Sequence, residues 1–304
     1  MKKLFGKGFA FIAIVMAVCA GIVSLSTQDS CKGTIARWTA SEEFMEENEM
    51  LSSFERARRE DGTTRLILGD SICNQMFGRL SGYNPEISFQ ATNAAFMVTG
   101  QYLLLEEYLK CHPDATDVFL VMHPLPLTRT FDTEWSYRYG VMTYVEAGVL
   151  DCLDGNTIEA MAGVYGRMFL EKWAVWLVEE SPLIRKLYLS YIYANREAYE
   201  QSSPFEIADQ YVKKMYGLCQ AQGVTLHLYS APVSEHFREA VEELALSYGE
   251  TWMSGAYPDY FEDILYYPDE WTSDMSHFDG EYATPESLDG IIQKAYGETE
   301  LLRR

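Results

Sequence analysis

The feature that most constrains this chain is a pair of short runs without a polar side chain, Leu66-Ile67-Leu68 and Val118-Phe119-Leu120-Val121-Met122. A strand that is apolar on both of its faces has no side to offer water, so it belongs in a parallel sheet covered by helices above and below. The surrounding pattern agrees. Arg65 to Gly69 reads as a strand stopped by glycine, followed by a helix-like stretch to about Leu80; Ile87 to Ala91 reads as a second strand, and Gly100 to Lys110 carries leucines and tyrosines at helical spacing. Asp117 to Met122 is the third strand, and Val224 to Tyr229 the fourth, after an amphipathic helix ending at Gly223 and before Pro232. Alternating strands and helices predict an α/β fold around a parallel sheet, with chemistry at the carboxyl ends of the strands.

The N-terminus limits where that domain works. Lys2, Lys3 and Lys7 precede Phe9 to Ser26, a stretch with no charged residue. Its length lies between a long signal-peptide core and a short spanning helix, and the lysines put the N-terminus on the cytoplasmic side. Residues 1–26 therefore read as a signal anchor, followed by a lead-in over 27–63 and a catalytic domain over 64–304 held outside the cytoplasm. Ser24-Leu25-Ser26 also offers a cleavage site, which would make the protein secreted. The whole chain of 304 residues has a net charge of −21, and losing the three leader lysines makes the exported part more negative still. Such a field repels a phosphate backbone, which excludes nucleic acid as a partner. Six cysteines, one of them inside the apolar run, show neither disulfide-framework nor metal-ligand spacing, so no structural metal is expected.

Two motifs carry chemistry. Gly69-Asp70-Ser71 lies where the first strand turns into a helix. A serine there exposes its hydroxyl and starts a helix whose free N–H groups attract an oxyanion, although either Asp70 or Ser71 also serves as an ordinary helix cap. Far downstream stands Asp274-Met275-Ser276-His277. An acid three residues before a histidine reaches Nδ1 within one turn and so leaves Nε2 to take a proton from a serine.

The two blocks in this order resemble the SGNH/GDSL hydrolase family, over about residues 65–297. The resemblance implies a flavodoxin-like three-layer α/β/α domain, ester chemistry without a cofactor, Ser71 as nucleophile, His277 as general base and Asp274 as its orienter. It also implies an oxyanion hole built from the N–H groups of Ser71 and Ala95, with Ala95 standing where the family has glycine, and a side chain from Asn93 or His123. The family's Gly-x-Asn-Asp block is absent; Met122-His123-Pro124-Leu125 stands in its place. His123 either gives the hydrogen bond that the family's asparagine gives or is a half-buried histidine satisfied in the core. With an N-terminal anchor and a degenerate third block, the chain is similar to SGNH-like proteins that modify bacterial envelope polymers beside a membrane-bound O-acyltransferase. The expected activity is that of an acyl esterase or O-acyltransferase on ester groups, acetyl above all, of an envelope polysaccharide. The alternative is a non-catalytic scaffold of the same fold.

Two aromatic groupings complete the reading. Between the third and fourth strands, about 128–203 exceeds what a minimal doubly wound domain needs. There Tyr165, Phe169, Trp173 and Trp176 fall at helical spacing, followed by Tyr188, Tyr191 and Tyr199. These predict inserted helices whose aromatics are extra core, a lid or substrate wall, or a face resting on the bilayer. Tyr257, Tyr260, Phe261, Tyr266, Tyr267 and Trp271, just before the Asp274/His277 block, suit either a sugar-stacking rim or a hydrophobic loop anchor.

Overall fold

The structure is a computed structural model describing residues 2–39, 49–78, 86–89, 97–133 and 135–302, with side chains from residue 13 onward. Four parallel strands, β1 (Arg65–Gly69), β2 (Ile87–Phe89), β3 (Asp117–Met122) and β4 (Thr225–Ser230), form a sheet in the order β2-β1-β3-β4. Gly69 pairs with Val121, and Val121 in turn with Tyr229, so the strands end level and their carboxyl ends share one edge.

The helices preceding β2 are α1 (Lys2–Ser26), α2 (Asp29–Thr39), α3 (Glu49–Ala57) and α4 (Ser71–Phe77); α5 (Val98–Cys111) leads from β2 to β3. Between β3 and β4 come α6 (Met142–Ala147), α7 (Gly155–Tyr165), α8 (Lys172–Glu180), α9 (Pro182–Asn195) and α10 (Glu206–Ala221). After β4 follow α11 (Arg238–Tyr248), α12 (Trp252–Ala256) and α13 (Pro285–Tyr296). A two-stranded parallel ladder, β5 (Val233–Ser234) with β6 (Tyr266–Tyr267), lies beyond β4.

Alternation along the strands divides the core in two. Leu66, Leu68, Val118, Leu120 and Met122 pack with α3, α5 and α10, whereas Ile67, Phe119 and Val121 pack with α4 and α13. Successive side chains of a strand point to opposite faces, so an all-apolar strand feeds both cores at once.

Four expectations from the sequence meet the structure as follows. The second strand is Ile87–Phe89 in the described residues, and 90–91, over which the sequence pattern continues it to Ala91, lie outside them. The insertion forms several helices, α6 to α9, and Gly166 at φ 85° ends α7 before Phe169, so Tyr165 and Phe169 lie on different elements. Among the described residues no single helix is long and apolar enough to cross a membrane; Ala13–Ser26 and Asp29–Thr39 reach that length and composition only together, across a bend of 101°. Of the two readings of the 257–271 aromatics, a sugar-stacking rim or a loop anchor, Tyr257, Tyr260 and Tyr267 follow the second. Tyr260 and Tyr267 are buried, with their hydroxyls on the carbonyls of Met122 (2.8 Å) and Ser276 (2.8 Å), and Tyr257 donates to Leu226 O at 3.1 Å. These rings anchor loops to the sheet, and their polar tips are used up by backbone acceptors.

Candidate active site

The turn after β1 fits only without a side chain at position 69. A Cβ on Gly69 would run into the Val121 carbonyl of the neighbouring strand and into Cys73. Glycine lets α4 start that close to the sheet. Asp70 then takes the capping role: Oδ1 accepts from the N–H of Ile72 (3.1 Å) and Cys73 (3.2 Å). Its Oδ2 accepts the N–H of His123 at 2.7 Å, tying the end of β1 to the end of β3. Burial pushes the Asp70 carboxyl up, against the pull of those three N–H groups and of His277. Capping and chemistry are thus divided between neighbours, since Asp70 caps and Ser71 keeps its hydroxyl for another partner.

That partner is His277, whose Nε2 lies 2.7 Å from Ser71 Oγ. On the other side of the ring, Nδ1 lies 2.6 Å from Asp274 Oδ2. Asp274 Oδ1 accepts the N–H of Ser276 (3.0 Å) and of His277 (2.7 Å), so the carboxylate organises the loop that carries the histidine. Burial works against ionisation of Asp274, but the His277 N–H, the His277 ring and the Ser276 N–H outweigh it and hold the carboxyl below its ordinary range. Met275 adopts φ 67°, a left-handed conformation that costs a non-glycine residue about 1 kcal/mol and lets the loop turn this tightly.

Two side chains brace this loop. Gln75 Nε2 donates to Phe278 O at 3.1 Å while its Oε1 accepts the Phe278 N–H at 2.9 Å. Tyr267 holds Ser276 O from the opposite side. His277 is therefore gripped at both neighbouring residues, one grip coming from the helix that Ser71 begins. Gln75 escaped the sequence reading. The available signal was its position four residues after Ser71, on the same face of α4.

His123 is 5% exposed and lies at the end of β3. Its Nδ1 accepts the Leu125 N–H at 3.2 Å, which assigns the proton to Nε2. Nε2 is buried and has no partner among the described residues. Burial, reinforced by the charge of His277, lowers the ring to about 4. Phe237 packs edge-on against it, 5.8 Å between centroids, and fixes its plane. The satisfied-core alternative thus holds for one nitrogen and fails for the other. Asn93 and Ala95, the other expected donors, lie outside the described residues.

Ser71, His123 and His277 line one cavity of about 460 Å³ at the carboxyl ends of β1 and β3. Its walls are Leu125, Pro126, Arg129, Trp135, Tyr139 and Phe237. The first part of the insertion, through Arg129, Trp135 and Tyr139, therefore forms part of the cavity wall. Trp135 is held there by Asp132, whose Oδ1 accepts the Trp135 N–H at 2.5 Å and the Ser136 N–H at 3.2 Å. Tyr139, on the π-helical turn Tyr137–Val141, stacks on Trp135 with centroids 5.4 Å apart and planes 20° from parallel.

Compared with models of protein families, with curated proteins and with solved structures, the chain matches none. Among the described residues no group of three or more His, Cys, Asp or Glu is placed to hold a metal ion. The arrangement offers a hydroxyl with a base behind it, an acid behind the base, and a neutral donor across the cavity. That set can carry out nucleophilic acyl transfer.

Proposed function

We propose that this chain is a serine-dependent acyl esterase or O-acyltransferase of the SGNH type, acting outside the cytoplasm on acetyl esters of an envelope polysaccharide. The observation that carries the reading is the unbroken run of contacts from Asp274 through His277 to Ser71 at a cavity. A sheet ordered β2-β1-β3-β4 is also how a flavodoxin-like domain begins. In the proposed reaction Ser71 Oγ gives its proton to His277 Nε2 and attacks the ester carbonyl. The resulting oxyanion is held by the N–H of Ser71, by His123 Nε2–H and by donors from Ala95 and Asn93. His277 then protonates the departing alcohol. Water or a sugar hydroxyl, deprotonated by the same nitrogen, takes the acyl group from Ser71 and regenerates the serine.

The aromatic pair at the cavity wall and the net charge of −21 favour a neutral carbohydrate over a polyanion. In this reading α1 is the membrane anchor, and a membrane-bound O-acyltransferase is the proposed neighbour that supplies acyl groups. A scaffold would have no use for an ordered proton relay beside a cavity.

The test is to give the full chain, in detergent, a chromogenic acetyl ester with and without neutral oligosaccharide acceptors, following free acetate and acetylated sugar. Acetate alone identifies an esterase, and acetylated sugar a transferase. Turnover surviving in Ser71→Ala, or a fluorophosphonate label elsewhere than Ser71, overturns the proposal.

A further inference from the structure

Exposed apolar residues are gathered on one part of the molecule. Among the described residues, thirteen of the sixteen large hydrophobic side chains that stand out into solvent lie in two stretches, 14–38 and 168–193. Trp38 is 83% exposed, Leu187 59%, Trp173 54%, Trp176 53% and Tyr191 49%. The concentration matters more than any single residue, because isolated exposed hydrophobics are ordinary and contiguous ones mark a contact surface.

The two stretches touch. Both α1 and α2 pack against α9, Ser26 Oγ is hydrogen-bonded to Ser181 Oγ, and Lys32 Nζ lies 2.6 Å from Glu180. The sequence explains why the outer faces stay bare: α8 spends Ala174, Val175 and Val178 on the interior, which leaves Trp173 and Trp176 one turn apart on the other side.

Charge and direction identify the occupant. Residues 168–195 hold three basic and three acidic side chains, and 13–39 two basic and one acidic, in a chain whose net charge is −21. The apolar region is thus neutral where the rest of the body is strongly acidic. The axis turns by 101° between α1 and α2. With α1 upright in a bilayer, α2 lies almost flat along its surface and carries α9 beside it.

Resting on the reading of α1 as a membrane anchor, we infer that the outer face of α2, α8 and α9 lies in the lipid headgroup region and fixes the orientation of the catalytic domain on the bilayer. Tryptophan and tyrosine suit that layer, having an apolar body and one polar tip. Neutral charge lets the face approach anionic headgroups that repel the acidic remainder.

The test uses the full chain reconstituted in phosphatidylcholine vesicles with bromine high on the acyl chains. In a variant with Trp173 as the sole tryptophan, emission should fall by about half, as expected for a side chain just below the headgroups, and a variant keeping only Trp252 should change little. A chain that floats with the vesicles but shows no quenching of Trp173 overturns the inference and leaves the anchor reading standing; a chain that does not float overturns both. In the wild-type chain, photoactivatable phosphatidylcholine should label peptides within 168–193. Label confined to 1–26 overturns the inference, and so does a crosslink between two copies through Lys186 in place of lipid label, which would assign the face to a second copy.

Discussion

Ser71 and His277 are 206 residues apart in the chain, and their side chains meet at 2.7 Å. Neither element is placed by the other alone. Ser71 is fixed by Gly69 and Asp70 at the end of a buried strand; His277 is fixed by Asp274 within its own loop and by Gln75 from the helix of Ser71. The contact belongs to the tertiary fold, so it tests the fold and the chemistry together.

If the three residues act as a unit, their losses do not add. Ser71→Ala and His277→Ala are each expected to lower kcat by roughly 10⁶-fold, and the double variant should be no worse. Asp274→Asn should cost less, roughly 10⁴-fold. Steady-state hydrolysis of an aryl acetate measures all four. A double variant well below either single one would mean that serine and histidine serve separate steps.

Gln75 is a positioning residue whose removal should act on rate before binding. Gln75→Met keeps the volume and loses both hydrogen bonds to Phe278. The expected result is a kcat lower by roughly 10- to 100-fold with KM nearly constant, because the histidine loop loosens while the walls of the cavity stay. An equal loss in folding stability with no change in kcat would make Gln75 a structural residue only.

The parts of this site that could be read from sequence are those whose logic is local. Gly69-Asp70-Ser71 and Asp274-x-x-His277 each carry their geometry within a few residues, and apolar strands announce burial on two sides. Trp135, Tyr139 and Phe237 could not be read in the same way, because they come to the cavity from an insertion and from a turn beyond β4. Nor could the fate of aromatic spacing. Tyr165 and Tyr188 are buried while Trp173, Trp176 and Tyr191 are exposed, and what separates them is which face another helix covers, a property of packing rather than of period.

His123 is expected to be replaceable by a donor and not by a methyl group. His123→Ala should lower kcat by roughly 10²-fold, the usual cost of losing one oxyanion donor. His123→Asn supplies an amide N–H and should recover most of that loss. If both variants lose activity alike, the ring is needed for packing against Phe237 and not as a donor.

The same residue gives a pH signature. His123 titrates near 4 in the folded protein and near 6.5 when unfolded, so between those values the unfolded chain binds a proton that the folded one refuses. Stability from this group is fully present above about pH 6.5 and falls as pH drops towards 4, by about 3 kcal/mol in all. Glu179, pushed up to about 7 by burial and by Glu146 and Glu180, acts in the opposite sense over an overlapping range, so the wild-type profile alone is a blend. The difference between wild type and His123→Asn isolates the histidine: urea unfolding should show the variant gaining on the wild type as pH falls from 6.5 to 4, and a gap constant with pH would place His123 in contact with water.

Trp135 should decide which esters are preferred. Its indole is 45% exposed at the cavity wall and is backed by Tyr139 at 5.4 Å. A ring supported on one face and open on the other suits the apolar face of a pyranose, and such stacking is worth about 1 kcal/mol or slightly more. Trp135→Ala should therefore reduce the preference in kcat/KM for an acetylated oligosaccharide over an aryl acetate by about tenfold, mainly through KM for the sugar. Tyr139→Ala should give a smaller loss, because it removes the support and leaves the platform. Binding of a deacetylated oligosaccharide should quench the tryptophan emission of the wild type and fail to do so in Trp135→Ala. Unchanged preference and unchanged quenching would remove carbohydrate from this wall while leaving the Ser71, His277 and Asp274 relay as it stands.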